Sequence, residues 1–179
     1  MNNLDKLNTT GGIDPLAFSK GYTDYLITLL EKLDHQKVAA CINELEKARQ
    51  NGNTIFVIGN GGSASTASHI GNDFGLAVLK KSTRENNKSY RALALTDNVS
   101  VISAIGNDST YDNIFVDQLK VHYRKGDLLL AISASGNSPN LLVAAEWVKS
   151  QGGTVIGWLG FDGGKLKALS DIPVVVETP

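Results

Sequence analysis

The sequence predicts an α/β protein, with a three-layer, doubly wound, five-stranded parallel sheet flanked by helices. From residue 53 onward, short runs rich in Val, Ile and Leu alternate with stretches of helical periodicity, the pattern of a parallel sheet covered on both faces. A length of 179 residues with 42% hydrophobic content is enough for one buried core. We therefore expect a single domain over residues 15–179, after a flexible polar tail at 1–14.

Apolar residues recur at helical spacing in two amino-terminal segments, 15–33 and 35–50. The sheet part of the domain, 53–179, follows them. Charged and polar residues from Lys80 to Lys88 predict a solvated loop before the second strand. Strands are predicted at 53–58, 91–95, 128–132, 154–159 and 173–176, and helices between them near 63–79, 98–105, 112–124 and 138–150.

Composition limits the classes of partner and the compartment. A net charge of −1 gives no support for binding to nucleic acid or to an anionic membrane surface, and no apolar run approaches the roughly 20 residues of a membrane span. The amino terminus lacks the basic and apolar regions of a secretory signal. Cys41 is the single cysteine, which excludes an intrachain disulfide and favours a cytoplasmic setting. Its place in a helical pattern predicts a packed thiol.

Two hydroxyl-rich loops each follow a predicted strand and open into a predicted helix. Glycines let backbone N–H groups crowd around one point, hydroxyls add donors, and a helix N-terminus favours anions. Ser138 followed by Pro139 is a favoured helix start. Both loops fall at carboxyl ends of strands, where parallel sheets bind ligands, so they predict a site for a phosphorylated small molecule. We call them the glycine loop, Gly59-Asn60-Gly61-Gly62-Ser63, and the serine loop, Ser133-Ala134-Ser135-Gly136-Asn137-Ser138.

Two other interpretations of the loops remain open. Gly59, Gly61 and Ala64 fit the loose dinucleotide fingerprint, which expects a carboxylate at a strand end about 20 residues later. The nearest candidate, Asp97, comes much later in the sequence. A dinucleotide site would also leave the serine loop without a role. In the second interpretation, the serines of that loop merely cap the helix and form a turn.

The helix after the glycine loop carries the candidate chemistry. His69 and Asp73 are four residues apart and therefore share one helix face. A carboxylate there could move a proton between adjacent carbons of a sugar, and an imidazole could bind a metal or polarise an oxygen. The alternative is an ordinary surface pair, since a catalytic zinc centre needs about three protein ligands. His35 and His122 are expected to be structural or exposed.

The glycine loop, His69 and the segment 131–138, in that order, resemble the sugar isomerase (SIS) family, and most closely its phosphoheptose isomerase members. The likeness runs from about residue 15 to the end and includes Thr96-Asp97, Gly106-Asn107-Asp108 and Gly160-Phe161-Asp162-Gly163-Gly164. It implies the SIS fold and isomerisation of a heptose 7-phosphate through an enediol, for the synthesis of heptose precursors of glycans. It also implies one zinc ion per site and a homotetramer that uses the helices at 15–50.

The resemblance also assigns residues. His69 would be a zinc ligand, and Asp73 stands where the family uses a glutamate as metal ligand and proton-transfer base. Asp73 is one methylene shorter than that glutamate, and Ala134 replaces a residue that often carries a hydroxyl. Substrate and phosphate would contact Asn60, Gly61, Gly62, Ser63, Thr96, Asp97, Ser133, Ala134, Ser135 and Ser138.

The family continues after its fifth strand into a long helix that supplies a further polar ligand and a histidine. The sequence ends at Pro179, so we expect that helix to be missing here. Two alternative functions stay open beside the heptose isomerase. One is a non-catalytic phosphosugar-binding or protein-interaction protein, like the DnaA initiator-associating members of the family. The other is an isomerase with a different phosphosugar, such as a hexose phosphate.

Overall fold

The computed structural model describes residues 14–77 and 88–178, in which two helices precede five strands that alternate with helices. Asp14 caps the first helix by accepting the Leu16 N–H at 3.0 Å. The elements are α1 (Pro15–Glu31), α2 (His35–Asn51), β1 (Thr54–Gly59), α3 (Gly62–Asn72), a π-helix (Asp73–Ala77), β2 (Arg91–Ala94), α4 (Val99–Asp108), a 3-10 helix (Tyr111–Asn113), α5 (Val116–His122), β3 (Leu128–Ser133), α6 (Pro139–Ser150), β4 (Thr154–Gly160), α7 (Gly164–Leu169) and β5 (Ile172–Val176).

The five strands form one parallel sheet in the order β2-β1-β3-β4-β5, which confirms the predicted fold class. From β1 the chain crosses first to β2 on one side and then to β3 on the other. The strand order thus reverses between β1 and β3, and such a reversal opens a crevice beyond the carboxyl ends of the two strands. Gly59 pairs with Ile132 at this edge, so the glycine and serine loops leave the sheet side by side.

Two separate cores cover the faces of the sheet. Helices α2 and α3 pack on one face, where Leu45 and Ile70 meet Val57. Helices α5, α6 and α7 pack on the other face, around Phe56. Cys41 is buried in the first core, and burial raises the pKa of its thiol, which confirms the predicted packed cysteine. Within the described residues, no helix combines the length and apolar character needed to cross a membrane.

The helices differ from the prediction in three places. The helix predicted over 63–79 changes to a π-helix at Asp73, and the helix predicted over 112–124 is divided into a 3-10 turn and α5. The short α7 was not predicted, because six residues that begin with a glycine are too few to display a helical period. Residues 1–13, 78–87 and 179, and with them most of the predicted tail and loop, lie outside the described residues.

A polar cluster joins α2 to the chain that enters β2. Arg49 donates to both carboxylate oxygens of Glu46 and, at 2.8 Å, to the carbonyl oxygen of Lys88. The Tyr90 hydroxyl donates to Glu46 at 3.2 Å. The Arg49 hydrogen bond, followed by one from Gln50, lowers the pKa of Glu46 from 4.5 to about 2. The ionised form of Glu46 is therefore part of the link between the two elements.

We expect the Glu46→Gln variant to flatten the acid limb of the stability curve. A carboxyl group whose pKa is depressed in the folded state stabilises the fold above its unfolded pKa. That contribution is lost as the pH falls from about 4.5 towards about 2. Urea unfolding at several pH values measures the slope, and Glu44→Gln, which removes a carboxylate paired with exposed Lys47, is the matched control. A wild-type slope in Glu46→Gln would contradict the assignment.

Candidate functional site

The glycine loop is a tight connection between β1 and α3. A Cβ atom on Gly59 would lie 2.8 Å from backbone atoms of Ser63, so only glycine lets the strand end pack against the first turn of the helix. Gly61 is the N-cap residue, at φ +54°, and no side chain caps the helix. Gly61 and Gly62 are exposed, and Asn60 and Ser63 are partly exposed. The backbone of this loop is accessible from the sheet edge, as the sequence predicts.

The serine loop is held by its own hydrogen bonds. Ser133 is buried, and its hydroxyl oxygen accepts the N–H of Gly136 at 3.0 Å. The exposed Ser135 accepts the Asn137 N–H at 3.3 Å. Ser138 is the N-cap of α6 with proline in the first turn, as predicted, but its hydroxyl makes no capping hydrogen bond. The Ser138 hydroxyl therefore remains able to donate to a ligand.

A pair of amides joins the glycine loop to the helix that follows the serine loop. Asn60 donates to the Oδ1 of Asn140 at 2.9 Å, and Asn140 donates to the Oδ1 of Asn60 at 2.9 Å. Asn140 lies in the first turn of α6 and is only 1% exposed. The hydroxyl of Tyr111 also donates to the Oδ1 of Asn60, at 3.3 Å. The glycine loop and the helix that begins at the serine loop thus share one polar contact.

Thr96 and Asp97 form a second cluster with α3. The Ser68 hydroxyl donates to Asp97 Oδ1 and lies 3.2 Å from the Thr96 hydroxyl. Thr96 also donates to Asp97 Oδ1, at 3.2 Å. Ser68 and Thr96 both contact the carbonyl oxygen of Ala64, in the first turns of α3. The two residues predicted to meet sugar hydroxyls therefore stand beside the helix that the glycine loop opens.

His69 and Asp73 pair with each other. The His69 Nε2 and Asp73 Oδ2 atoms are 2.9 Å apart, and the two side chains are 74% and 48% exposed. Asp73 Oδ1 accepts a hydrogen bond from Asn72 at 3.2 Å. No hydrogen bond among the described residues joins this pair to either loop. The predicted shared face is present, and both groups are accessible to a ligand.

The pair offers two ligands to a metal ion. Catalytic zinc sites use about three protein ligands, and residues 14–77 and 88–178 contain no group of three or more His, Cys, Asp or Glu side chains that could hold a metal. The described part of one chain therefore does not fit a complete zinc site. His35 and His122 are both exposed, as expected.

Sequence reasoning missed three residues of the site, Asn140, Tyr111 and Ser68. Asn140 and Asn60 are 80 positions apart, and nothing in the local pattern of α6 singles out this asparagine. Tyr111 begins a short 3-10 turn and lies one residue before the helix predicted over 112–124. Ser68 precedes His69 directly, and a hydroxyl at that point of the helix was the one available signal.

Comparisons with known proteins agree with this architecture. A phosphoheptose isomerase of Clostridium acetobutylicum is 39% identical over 143 residues, which cover 80% of this chain and 70% of the relative. That of Aliarcobacter butzleri is 40% identical over 160 residues, which cover 83% of this chain and 82% of the relative. The solved structure of the phosphoheptose isomerase GmhA from Neisseria gonorrhoeae matches with a TM-score of 0.77 at 30% identity, over 92% of this chain and 85% of that one.

The family description "SIS domain" matches residues 21–160, a stretch that includes both loops, the His69–Asp73 pair and the first four strands. This match covers more than half of the chain, and the relatives named above are 39% and 40% identical to it. The chain belongs to the SIS domain family.

Proposed function

We propose that this protein is a phosphoheptose isomerase that interconverts sedoheptulose 7-phosphate and D-glycero-D-manno-heptose 7-phosphate, in the synthesis of heptose precursors for glycans. The observation that carries the proposal is the contact between the glycine loop and the helix that follows the serine loop, at the β1–β3 crevice, in a chain 39% identical to a phosphoheptose isomerase. Fold alone does not select a substrate. The identity to relatives with that name does favour a heptose phosphate.

The phosphate is assigned to the serine loop. The Ser135 and Ser138 hydroxyls supply donors at the positive end of α6, a helix of 12 residues. Ser133 contributes by holding Gly136 in place, and Ala134 contributes through its backbone. The sugar is assigned to Asn60, Gly61, Gly62 and Ser63 on one side and to Thr96 and Asp97 on the other.

Proton transfer is assigned to Asp73. Its carboxylate takes a proton from C1 of the ketose to give a 1,2-enediol and returns it to C2 as the aldose forms, while a proton moves from the C1 oxygen to the C2 oxygen. No atom is gained or lost. His69 is assigned the role of polarising the reacting oxygens. The Asp73 carboxylate lies 2.9 Å from the exposed His69 imidazole and accepts a hydrogen bond from the exposed Asn72, so substrate groups can replace either contact.

We propose that His69 and Asp73 bind a zinc ion. Because they supply only two ligands, the remaining ligands must come from residues outside the described part of one chain. When bound, such an ion acts as a Lewis acid towards sugar oxygens. None of the proton transfers above depends on it. Metal analysis of the purified protein, with His69→Ala for comparison, tests this assignment: about one zinc per chain, lost in the variant, supports it.

We further propose a homotetramer assembled through α1 and α2, working in the cytoplasm. Helix α1 buries none of its residues in the single chain. Tyr22, Leu26 and Leu30 lie four apart on this helix and are 46%, 43% and 51% exposed. An uncovered apolar stripe of this kind is typical of a surface that packs against another copy. Sedimentation equilibrium measures the assembly, and a monomer would contradict it.

A non-catalytic phosphosugar-binding protein is the second candidate. One observation favours it, namely that His69 and Asp73 lack a third acidic, histidine or cysteine partner within the described residues. A protein of this kind would bind the sugar phosphate at the two loops and leave it unchanged.

NMR product analysis separates the candidates. The protein is incubated with sedoheptulose 7-phosphate and, in parallel, with fructose 6-phosphate. We expect the aldose heptose phosphate to accumulate to equilibrium and the hexose phosphate to react far more slowly. Tight binding without turnover would favour the non-catalytic binding protein. Preferential turnover of fructose 6-phosphate would show that the substrate is a hexose phosphate and not a heptose phosphate.

A further inference from the structure

A cavity of about 320 Å³ lies at the amino-terminal ends of β1 and β2, at the opposite edge of the sheet from the two loops. In the register of these strands, Thr54 is paired with Arg91 and Phe56 with Leu93. Alternate residues of a strand lie on the same face of a sheet, and all four residues line the cavity. Arg124, in the turn between α5 and β3, also lines it. Two arginines from separate elements therefore meet at one cavity.

The cavity carries positive charge that its lining does not balance. Arg91 and Arg124 are exposed, and the ion pairs among the described residues include neither of them. The described lining residues include His122 but no Asp or Glu. Guanidinium groups bind phosphate and carboxylate oxygens through charge-assisted hydrogen bonds. A phosphate monoester suits this cavity better than a carboxylate, because it has more charge and three acceptor oxygens for the two arginines and the Thr54 hydroxyl.

A buried carboxylate fixes the backbone around this cavity. Asp127 is 5% exposed and is not one of the lining residues. Its Oδ1 accepts the backbone N–H of Thr54 at 2.7 Å, and its Oδ2 accepts the backbone N–H of Arg124 at 2.8 Å. The start of β1 and the turn that carries Arg124 are thus held together by the protein itself. A ligand does not have to order these segments, which lowers the cost of binding.

A larger cavity, of about 550 Å³, continues along β2 towards its carboxyl end. Both cavities are lined by Leu93 and by the last residue of α5, so they form one groove beside this edge strand. We call it the β2 groove, with Arg91 and Arg124 at one end and Asp97 and Gln118 at the other. Cavities of this size are typical of sites for small molecules. The groove is therefore cationic at one end and rich in acceptors at the other.

Gln118 offers one acceptor to the β2 groove. It is 7% exposed, and its Nε2 donates to the carbonyl oxygens of Leu95 at 3.0 Å and Ile114 at 2.7 Å. A reversed amide would place its oxygen against both carbonyl oxygens, so these two bonds fix its orientation. The Oε1 atom accepts no hydrogen bond from the described residues and is not one of their buried, unpaired polar atoms. It is therefore accessible from the cavity that Gln118 lines, and a ligand hydroxyl can donate to it.

We propose that the β2 groove binds a phosphate monoester whose body carries hydroxyl groups. The phosphate lies between Arg91 and Arg124, and the body extends past Leu93 until a hydroxyl donates to Gln118 Oε1. The reverse orientation would bring the phosphate towards the Asp97 carboxylate, which repels it. No residue of the glycine loop or the serine loop lines either cavity. The groove is thus a second site in each chain, and it does not rest on the proposed isomerase function.

Titration with sorbitol 6-phosphate tests this inference. The compound has a phosphate and several hydroxyls but no carbonyl group, so an isomerase cannot convert it. Backbone amide NMR of the full chain follows binding, and we expect saturable shifts at the amides of Leu93 and Arg124. In the Arg91→Gln/Arg124→Gln variant, the dissociation constant from these amides should rise about a hundredfold, or about tenfold for each charge-assisted contact. Arg124→Gln alone should raise it about tenfold.

The control variant is Lys32→Gln/Lys37→Gln. It removes two positive charges at exposed positions at the end of α1 and in α2, and the dissociation constant should stay that of the wild type. Sorbitol without phosphate should cause no shifts at Leu93 and Arg124. Equal binding of sorbitol, an unchanged constant in the double arginine variant, or the absence of shifts at these amides would overturn the inference. Tighter binding of gluconate would replace the phosphate by a carboxylate and would also overturn it.

The same spectra separate this inference from the proposed function. The amides of Gly61 and Gly136 report on the glycine and serine loops. Shifts at Leu93 and Arg124 without shifts at the loops would support the β2 groove and remove the phosphate from the serine loop. Shifts at the loops alone would reject the groove and leave the proposed function standing.

Discussion

Replacing Asp73 by asparagine is expected to lower kcat by about 10²–10⁴-fold, the range that a positioned general base contributes. Asparagine has the size of aspartate and keeps an oxygen near His69, whose Nε2 lies 2.9 Å from Asp73 Oδ2 in the structure. It cannot take a proton from carbon at neutral pH. Initial rates of aldose formation, followed by NMR, measure the loss of kcat. The thermal midpoint of unfolding should stay close to that of the wild type, because the His69 and Asp73 side chains are 74% and 48% exposed.

The conservative variant Asp73→Glu sharpens this test. The resemblance to the SIS family predicts glutamate at this position, so we expect one added methylene to preserve most of the turnover. Asp117→Asn, on α5 with Lys120 as its partner, removes a carboxylate at a distance from the loops and should leave kcat unchanged. A fully active Asp73→Asn variant would remove Asp73 from the role of base.

The backbone conformation around Asp73 explains why the sequence could not predict the exact position of its carboxylate. The regular period of α3 ends at Asn72, and Asp73 begins a π-helix. Phe74 in this turn packs against Tyr90, with ring centroids 4.9 Å apart, and Tyr90 in turn contacts Glu46. A wider helical turn of this kind is rare and often occurs at functional sites. It depends on tertiary packing, whereas periodicity reports only on which residues are apolar.

The sheet was predictable because each strand is a short apolar run bounded by turn residues, as in Ile55–Ile58 and Leu128–Ile132. The position of both loops followed from the same pattern, since parallel strands place their carboxyl ends on one edge. The contact of Asn60 with Asn140 did not follow. It depends on how α6 is rotated against the sheet, and that rotation is set by Leu141 and Ala145 packing in the core, which no local pattern encodes.

The second large effect is expected from Gly136→Ala in the serine loop. Gly136 has φ +62°, and a Cβ atom there would lie 1.9 Å from the carbonyl oxygen of Gly163. The loop would have to move away from α7, breaking the Leu166 N–H bond to the Gly136 oxygen at 2.9 Å and the Lys165 N–H bond to Asn137 at 3.1 Å. At about 1 kcal/mol for each hydrogen bond, the loss of both lowers the free energy of unfolding by about 2 kcal/mol, in addition to the cost of backbone strain. Displacing one charge-assisted contact to the phosphate should raise KM about tenfold or more.

Gly152→Ala is the matched control, because it separates backbone strain from the clash. Gly152 has φ +70°, close to that of Gly136, and no atom lies within 4 Å of a Cβ built there. The free energy of unfolding of the Gly152→Ala variant should fall only by the cost of an alanine in the left-handed conformation, about 1–2 kcal/mol. Its KM should be unchanged. Urea unfolding gives both free energies, and initial rates give both KM values. Equal losses of stability in the two variants would show that the serine loop does not depend on its close approach to Gly163, and an unchanged KM in Gly136→Ala would remove the phosphate from this loop.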